Sequence, residues 1–247
     1  MPHLILAKIF YAQKFYSHFF IPYFFCNCNH QAPKVRTTNS LVIRVNETKK
    51  KDYPLIKEAA LHIRDSIQFA YQNANPTEKE QILKSAQTLF LNLAVNDIIS
   101  EWYGTPWDFN GNTQQPQKGT IACGYFVTTV LRDCGLKIQR TKLAQCPSET
   151  MIEQLVERSD IKRFSNRPIT EIKDYVKSTG KGLYIVGLDN HIGFIYYDLH
   201  NIYFIHSNYV ARNGVMKELA EQSSPFYYSK YKVIGKISNE ILIKYWL

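Results

Sequence analysis

Gly119-Thr120-Ile121-Ala122-Cys123-Gly124-Tyr125-Phe126-Val127 is where a polar, turn-rich segment gives way to a helical apolar pattern. Ahead of it, Asn110 to Lys118 is rich in Asn, Gln, Gly and Pro and has no apolar periodicity, the composition of a loop. Behind it, Phe126, Val127, Val130, Leu131 and Cys134 recur at helical spacing, and Gly135 is the residue type that closes a helix. The pattern predicts a buried helix with Cys123 in its first turn. Unpaired backbone N–H groups and the positive end of the helix dipole favour a thiolate over a thiol there. A lone cysteine at a helix start is most often a small buried hydrophobe. A role as nucleophile therefore has to be supported elsewhere in the chain.

Working outward, the residues before this stretch read as helices. From Tyr53 to Ala74, Leu55, Ala59, Ile63, Ile67 and Ala70 predict one apolar face. Asn75-Pro76 breaks that helix, and Thr77 with Glu80 has the spacing of a capping box for the next. The second helix carries Ile82, Ala86, Leu89, Phe90, Leu93, Ile98 and Ile99 and ends near Tyr103-Gly104. Beyond the cysteine, Ser148 is expected to cap a helix through Met151, Ile152, Leu155 and Val156, and a short helix follows Pro168. From Leu183 the pattern turns to strands: Leu183 to Leu188, His191 to Tyr197, Ile202 to His206 and Tyr231 to Ile237. Ile241 to Trp246 fits a fifth strand or a terminal helix. Helices first and an antiparallel meander after predict an α+β fold.

With 247 residues, 45% of them hydrophobic and 21% charged, the chain is long enough for a substantial core. The net charge of +9 is uneven, with eight Lys/Arg against two acids in residues 1–52. The remainder shows no basic stripe interleaved with aromatics, so a nucleic-acid partner is not expected. Residues 1–30 read as an export signal, with Lys8 and Lys14 around a modest apolar run and an aromatic stretch from Phe15 to Phe25. Cys26 at its end is a candidate lipidation site, although Phe25 is larger than the residue such sites place before the cysteine. A lipid there would be the chain's one attachment to a membrane. Residues 31–52 read as a basic linker with at most a short strand at Leu41 to Val45. Cys26-x-Cys28-x-His30 has metal-ligand character but no second pair, and no metal or other cofactor is expected. If the protein is exported, Cys134 and Cys146 are candidates for a disulfide.

A cysteine nucleophile needs a base and a group that orients the base. His191 opens a strand directly after the Asp189-Asn190 turn, and His206 ends the neighbouring strand, where antiparallel pairing can set it beside His191. His62 and His200 fit structural roles. Asn208 lies two residues past His206, on the same side of the strand.

These segments carry a resemblance. From about Leu91 to Asn208 the chain resembles the NlpC-type papain-like cysteine peptidases, which are bacterial cell-wall endopeptidases. The matching pieces are Tyr103-Gly104-Thr105-Pro106-Trp107, Ala122-Cys123-Gly124-Tyr125-Phe126-Val127, His191-Ile192-Gly193-Phe194-Ile195 and Phe204-Ile205-His206. The resemblance implies a papain-like fold over 53–247 with its core at 86–237. It implies Cys123 as nucleophile, His191 as base, His206 as the orienting residue, and Trp107 with Tyr125 beside the substrate. Ala122 stands where the family has Asp, and Gly124-Tyr125 where it has Ser-Gly. Cys123-x-Tyr125-x-Val127 and Ser207-Asn208-Tyr209 are also similar to the cysteine- and histidine-dependent amidohydrolases of cell-wall lysins, where an Asn completes the site, and this resemblance implies Asn208 as a rival third residue. The implied function is cleavage of amide bonds, with peptidoglycan peptides as the substrate class. The implied location is the periplasm or the cell surface. A thioester-based acyl or peptidyl transferase, and a cell-wall binding module of the same fold without turnover, are the alternatives.

Overall fold

The computed structural model describes residues 52–247. The export signal, Cys26, the Cys26-Cys28-His30 cluster and the Leu41–Val45 strand all fall on residues 1–51 and lie outside the described residues. Among the described residues no helix is long and apolar enough to cross a membrane.

Helix α1 runs Tyr53–Gln72. It buries Tyr53, Ala60 and Ile67, with Ile56 and Ile63 partly covered between them. Leu55, placed by periodicity on the inner face, is instead 61% exposed. Tyr53 sets the phase. Its hydroxyl donates to Asp133 Oδ2 at 2.8 Å and accepts from Trp102 Nε1 at 2.8 Å, so rotating the helix to bury Leu55 would break both buried hydrogen bonds.

Helix α2 covers Pro76–Asn92 and continues through a π-helical turn, Leu93–Ile99, into Ser100–Trp102. Its capping box is Asn75 with Glu78, two residues earlier than Thr77 with Glu80. Pro76 explains the shift. It sits comfortably at the first helical position, where no N–H is needed, so the residue before it becomes the cap.

After the loop come α3 (Cys123–Asp133), α4 (Arg140–Ala144) and α5 (Ser148–Leu155). Ser148 is the first residue of α5 and caps nothing, because Pro147 occupies the cap position. The chain then gives β1 (Ile161–Ser165), α6 (Ile169–Thr179), β2 (Gly182–Leu188), β3 (Ile192–Tyr197), β4 (Ile202–Asn208) and β5 (Gly214–Leu219). Helix α7 (Ser224–Tyr228), β6 (Tyr231–Lys236) and α8 (Glu240–Trp246) finish it.

The fold is α+β, with a six-stranded antiparallel sheet in the order β1-β6-β2-β3-β4-β5. The two strands that periodicity did not predict, β1 and β5, are its two edges. Edge strands carry charged residues that discourage further pairing, and Lys162-Arg163 and Lys217-Glu218 blur the alternation.

Helix α3 packs on one sheet face, where the N-terminal helices and α8 complete the larger core, while α6 and Phe226 cover the other. A chain of edge-to-face rings runs Tyr53–Trp102–Phe126–Phe194, with centroids 5.8, 6.3 and 5.8 Å apart. Each such contact adds about 0.5–1.5 kcal/mol beyond burial, and together they tie α1 and α2 to α3 and α3 to β3. Cys134 and Cys146 are not bonded to each other; with Cys123 they are free thiols.

Candidate active site

The loop before α3 is stitched down on both sides. Gly104 N–H donates to Val215 O at 2.9 Å and Val215 N–H to Thr105 O at 2.8 Å, which fastens Gly104-Thr105-Pro106-Trp107 to the start of β5. Ile121 N–H donates to Pro106 O and Ala122 N–H to Gly111 O, so the residues entering the helix are fixed. Ala122 is the N-cap and offers no side-chain acceptor, so no capping side chain occupies the first N–H groups of α3. Gly124 is required by space: a Cβ there would lie 2.4 Å from the Ala144 carbonyl oxygen.

Cys123 Sγ accepts from the backbone N–H groups of Ile192 and Gly124 and from its own. Those bonds favour the thiolate, yet burial outweighs them and pushes the thiol up from its ordinary value of 9.0. The helix start favours the thiolate, and burial shifts the balance back toward the thiol. Two N–H contacts at the helix start and one from β3 do not replace the water lost on burial.

His191 follows the Asp189-Asn190 turn. Asp189 holds that turn against the start of β6 by accepting from the N–H groups of Lys230 and Tyr231 at 2.7 and 2.9 Å. The His191 ring is 4% exposed. Its Nε2 lies 2.8 Å from Nδ1 of His206, and Nε2 of His206 lies 2.9 Å from Oε1 of Glu218 on β5. Gly193 makes this approach feasible, because a Cβ there would meet a Phe204 ring carbon at 2.7 Å and His206 Cβ at 2.9 Å.

The hydrogen-bond series assigns the protons. The His206 contact holds the Glu218 carboxyl below its ordinary value of 4.5, so at neutral pH the carboxylate only accepts. His206 must then carry its proton on Nε2 and present a lone pair at Nδ1. His191 in turn donates from Nε2 and keeps a lone pair at Nδ1. Burial holds both imidazoles below 6.5, His191 well below it and with a further push from His206. The His206–Glu218 contact is thus a hydrogen bond between a neutral ring and a carboxylate, not an ion pair.

The structure joins His191 to His206 directly. Cys123 reaches the N–H of the residue after His191, and no hydrogen bond runs from its sulfur to the ring. Trp107 meets the site through Tyr209, with ring centroids 6.3 Å from Trp107 to Tyr209 and 5.2 Å from Tyr209 to His191. Asn208 is turned into its own loop. Its Oδ1 accepts from Val210 N–H at 2.8 Å and its Nδ2 faces Met216 Sδ, so His206 is the partner of His191. Tyr125 lies on the flank of α3, under the Arg140 guanidinium at 4.8 Å with its hydroxyl bonded to Gln145.

Glu218 and Tyr209 were not anticipated. Tyr209 is part of the quoted Ser207-Asn208-Tyr209 segment, in which the resemblance gives a role to Asn208 alone. Glu218 became visible only once β5 was placed, since its strand reads as polar. Among the described residues no cluster of His, Cys, Asp and Glu could hold a metal ion. Comparison with protein-family models, with curated proteins and with solved structures finds no match to this chain.

Proposed function

We propose that the protein is a cysteine hydrolase that cleaves amide bonds through a thioester on Cys123. One observation carries the reading. A hydrogen-bonded series, Glu218–His206–His191, ends in a ring that keeps a lone pair, one residue before Ile192, whose backbone N–H lies against Cys123 at an uncapped helix N-terminus. A carboxylate, an orienting ring, a base and a nucleophile in sequence are what covalent acyl transfer requires.

Nδ1 of His191 takes the Cys123 proton as the sulfur attacks the substrate carbonyl carbon. The backbone N–H groups at the start of α3, which no capping side chain occupies, receive the oxyanion. Nδ1 then returns the proton to the leaving amine, the C–N bond breaks and a thioester remains. Water attacks the thioester and gives a proton to Nδ1; the acid leaves, and the sulfur recovers the proton. Because the resting pair is neutral, activation coincides with substrate arrival, and catalytic hydrogen bonds often tighten only then.

Peptidoglycan stem peptides are the proposed substrate, processed outside the cytoplasm in the periplasm or at the cell surface. What supports this is the resemblance of the Cys123, His191 and His206 segments to cell-wall endopeptidases. A transferase would differ in the last step alone, with an amine in place of water. A binding module without turnover draws on the raised Cys123 thiol.

The test is release of amine groups from purified peptidoglycan by the full chain and by Cys123→Ala. Release by the native protein and none by the folded variant is expected. Equal release by both removes Cys123 from the chemistry, and binding without release by either makes the protein a binder.

A further inference from the structure

Away from Cys123, on the flank of α3 that carries Tyr125, a cavity of about 420 Å³ is lined by Gln114, Arg132, Gln139, Arg140, Thr141 and Lys142. Three cations face it and no carboxylate does. The chain from Cys134 to Ser148 contributes Lys137, Arg140 and Lys142 and no acid at all.

The central cation is held rigidly. Arg140 Nε donates to Thr129 Oγ1 at 2.7 Å, and Nη2 donates to the carbonyls of Asn112 and Thr113 at 2.8 and 3.0 Å. The guanidinium plane lies over the Tyr125 ring. Four contacts hold it and none of them is to an anion. Arg132 is engaged with Asp133 at 2.8 Å and with Gln114 at 2.7 Å, and Asp133 also takes the Tyr53 hydroxyl. Its carboxylate is thus shared before it reaches Arg140. Burial and the neighbouring Arg132 charge both push Arg140 down, as expected where a half-buried positive charge lacks a counter-ion. A fixed arginine costs little further ordering when a ligand arrives.

A second cavity of about 250 Å³ adjoins the first and shares Gln139 and Lys142 with it, over a floor that includes Ile138, Leu143 and Leu155. The pair of cavities has a polar, positively charged end and a more apolar end. A carboxylate brings one charge to this arrangement. A phosphate brings up to two, with oxygens for several donors at once.

We infer that these adjoining cavities bind a phosphorylated small molecule, its phosphate between Arg132, Arg140 and Lys142 and its carrier over Leu143 and Leu155. The inference is independent of amide hydrolysis and is read by binding alone.

The probe is inorganic pyrophosphate, titrated calorimetrically into the full chain, with phosphatidylglycerol vesicles as a second titrant. Saturable one-site binding of pyrophosphate that weakens with added salt is expected. Lys142→Gln should lower the affinity at least about tenfold, the scale of one charge-assisted hydrogen bond. Lys177→Gln, an exposed lysine on α6, should leave it unchanged. Arg132→Gln should also weaken binding, but it strips Asp133 of its cation. The exposed Lys142 position therefore carries the test if Arg132→Gln misfolds. The inference is overturned by absent pyrophosphate binding, by binding to vesicles alone, or by equal affinity in Lys142→Gln and Lys177→Gln.

Discussion

Glu218 Oε1 accepts a hydrogen bond from His206 Nε2 at 2.9 Å, and through that bond a residue on an edge strand determines which nitrogen of His191 keeps its lone pair. The pairing of β4 with β5 sets this up. His206 lies opposite Met216 and Phe204 opposite Glu218, so Glu218 is the diagonal neighbour of His206 on the same face.

Replacing Glu218 should affect turnover more than binding. In Glu218→Ala, His206 is free to take either tautomer, and the fraction of His191 with Nδ1 unprotonated falls. A loss of about 10–100-fold in kcat with KM little changed is expected, the scale seen when a group orienting a ligand or base is removed. Glu218→Gln keeps an acceptor oxygen and should lose less. Equal losses in Gln and Ala would mean that the carboxylate's charge matters and its control of the tautomer does not.

His206→Ala and Asn208→Ala separate the two candidates for the third residue. Asn208 bonds to Val210 in the loop that follows it and to Met216 on β5, and not to His191, so its removal should change activity by no more than a few-fold. Loss of His206 leaves Nε2 of His191 without its partner in a buried site, and turnover should collapse by at least about a hundredfold. Both variants should be measured at matched folded fraction. The reverse ranking would assign the role to Asn208.

The neutral resting pair makes two predictions about pH. Cys123, raised above 9.0 by burial, should react slowly with iodoacetamide at pH 7 and faster as pH climbs past 9. A rate that is already high and flat from pH 5 upward would indicate a thiolate–imidazolium pair instead. The imidazoles of His191 and His206 are held below 6.5 in the folded chain, chiefly by burial. As pH falls through 6.5 the unfolded chain therefore binds protons that the folded chain does not, and stability drops. The urea midpoint should fall between pH 7 and pH 5, and by less in His191→Asn. An identical fall in that variant would place the effect on other groups.

Gly193→Ala tests the close approach of β3 and β4. The added Cβ would stand 2.8 Å from Ile205 O and 2.9 Å from His206 Cβ, so the strands must part. A destabilisation of about 1–3 kcal/mol is expected, as for other overpacked sites, with activity lost beyond what stability explains because the 2.8 Å bond between the rings lengthens. A variant with native stability and activity would show that the strands separate without cost.

Phe126→Ala removes the ring joining Trp102 to Phe194 and should cost about 3–5 kcal/mol, the range for truncating a buried aromatic. Thermal or urea unfolding measures it. A loss below 1 kcal/mol, far under the range for such truncations, would mean that the ring ladder is not what ties α2 to the sheet.

Local pattern made much of this protein legible. Apolar residues at helical spacing after Cys123, and alternating ones from Leu183 onward, placed a cysteine at a helix start, one histidine at the entry to β3 and another on β4, because these signals lie within one element. Relations between elements were not legible. The phase of α1 was decided by Tyr53 reaching Asp133, eighty positions away. The partner of His191 was decided by strand pairing that turns Asn208 toward Met216. Glu218 entered the site through an edge strand whose polar residues hide its alternation. The protonation of Cys123 was decided last of all. A helix start argues for the thiolate and burial argues against it, and how much water the sulfur loses is known only once the sheet and the loop have closed around it.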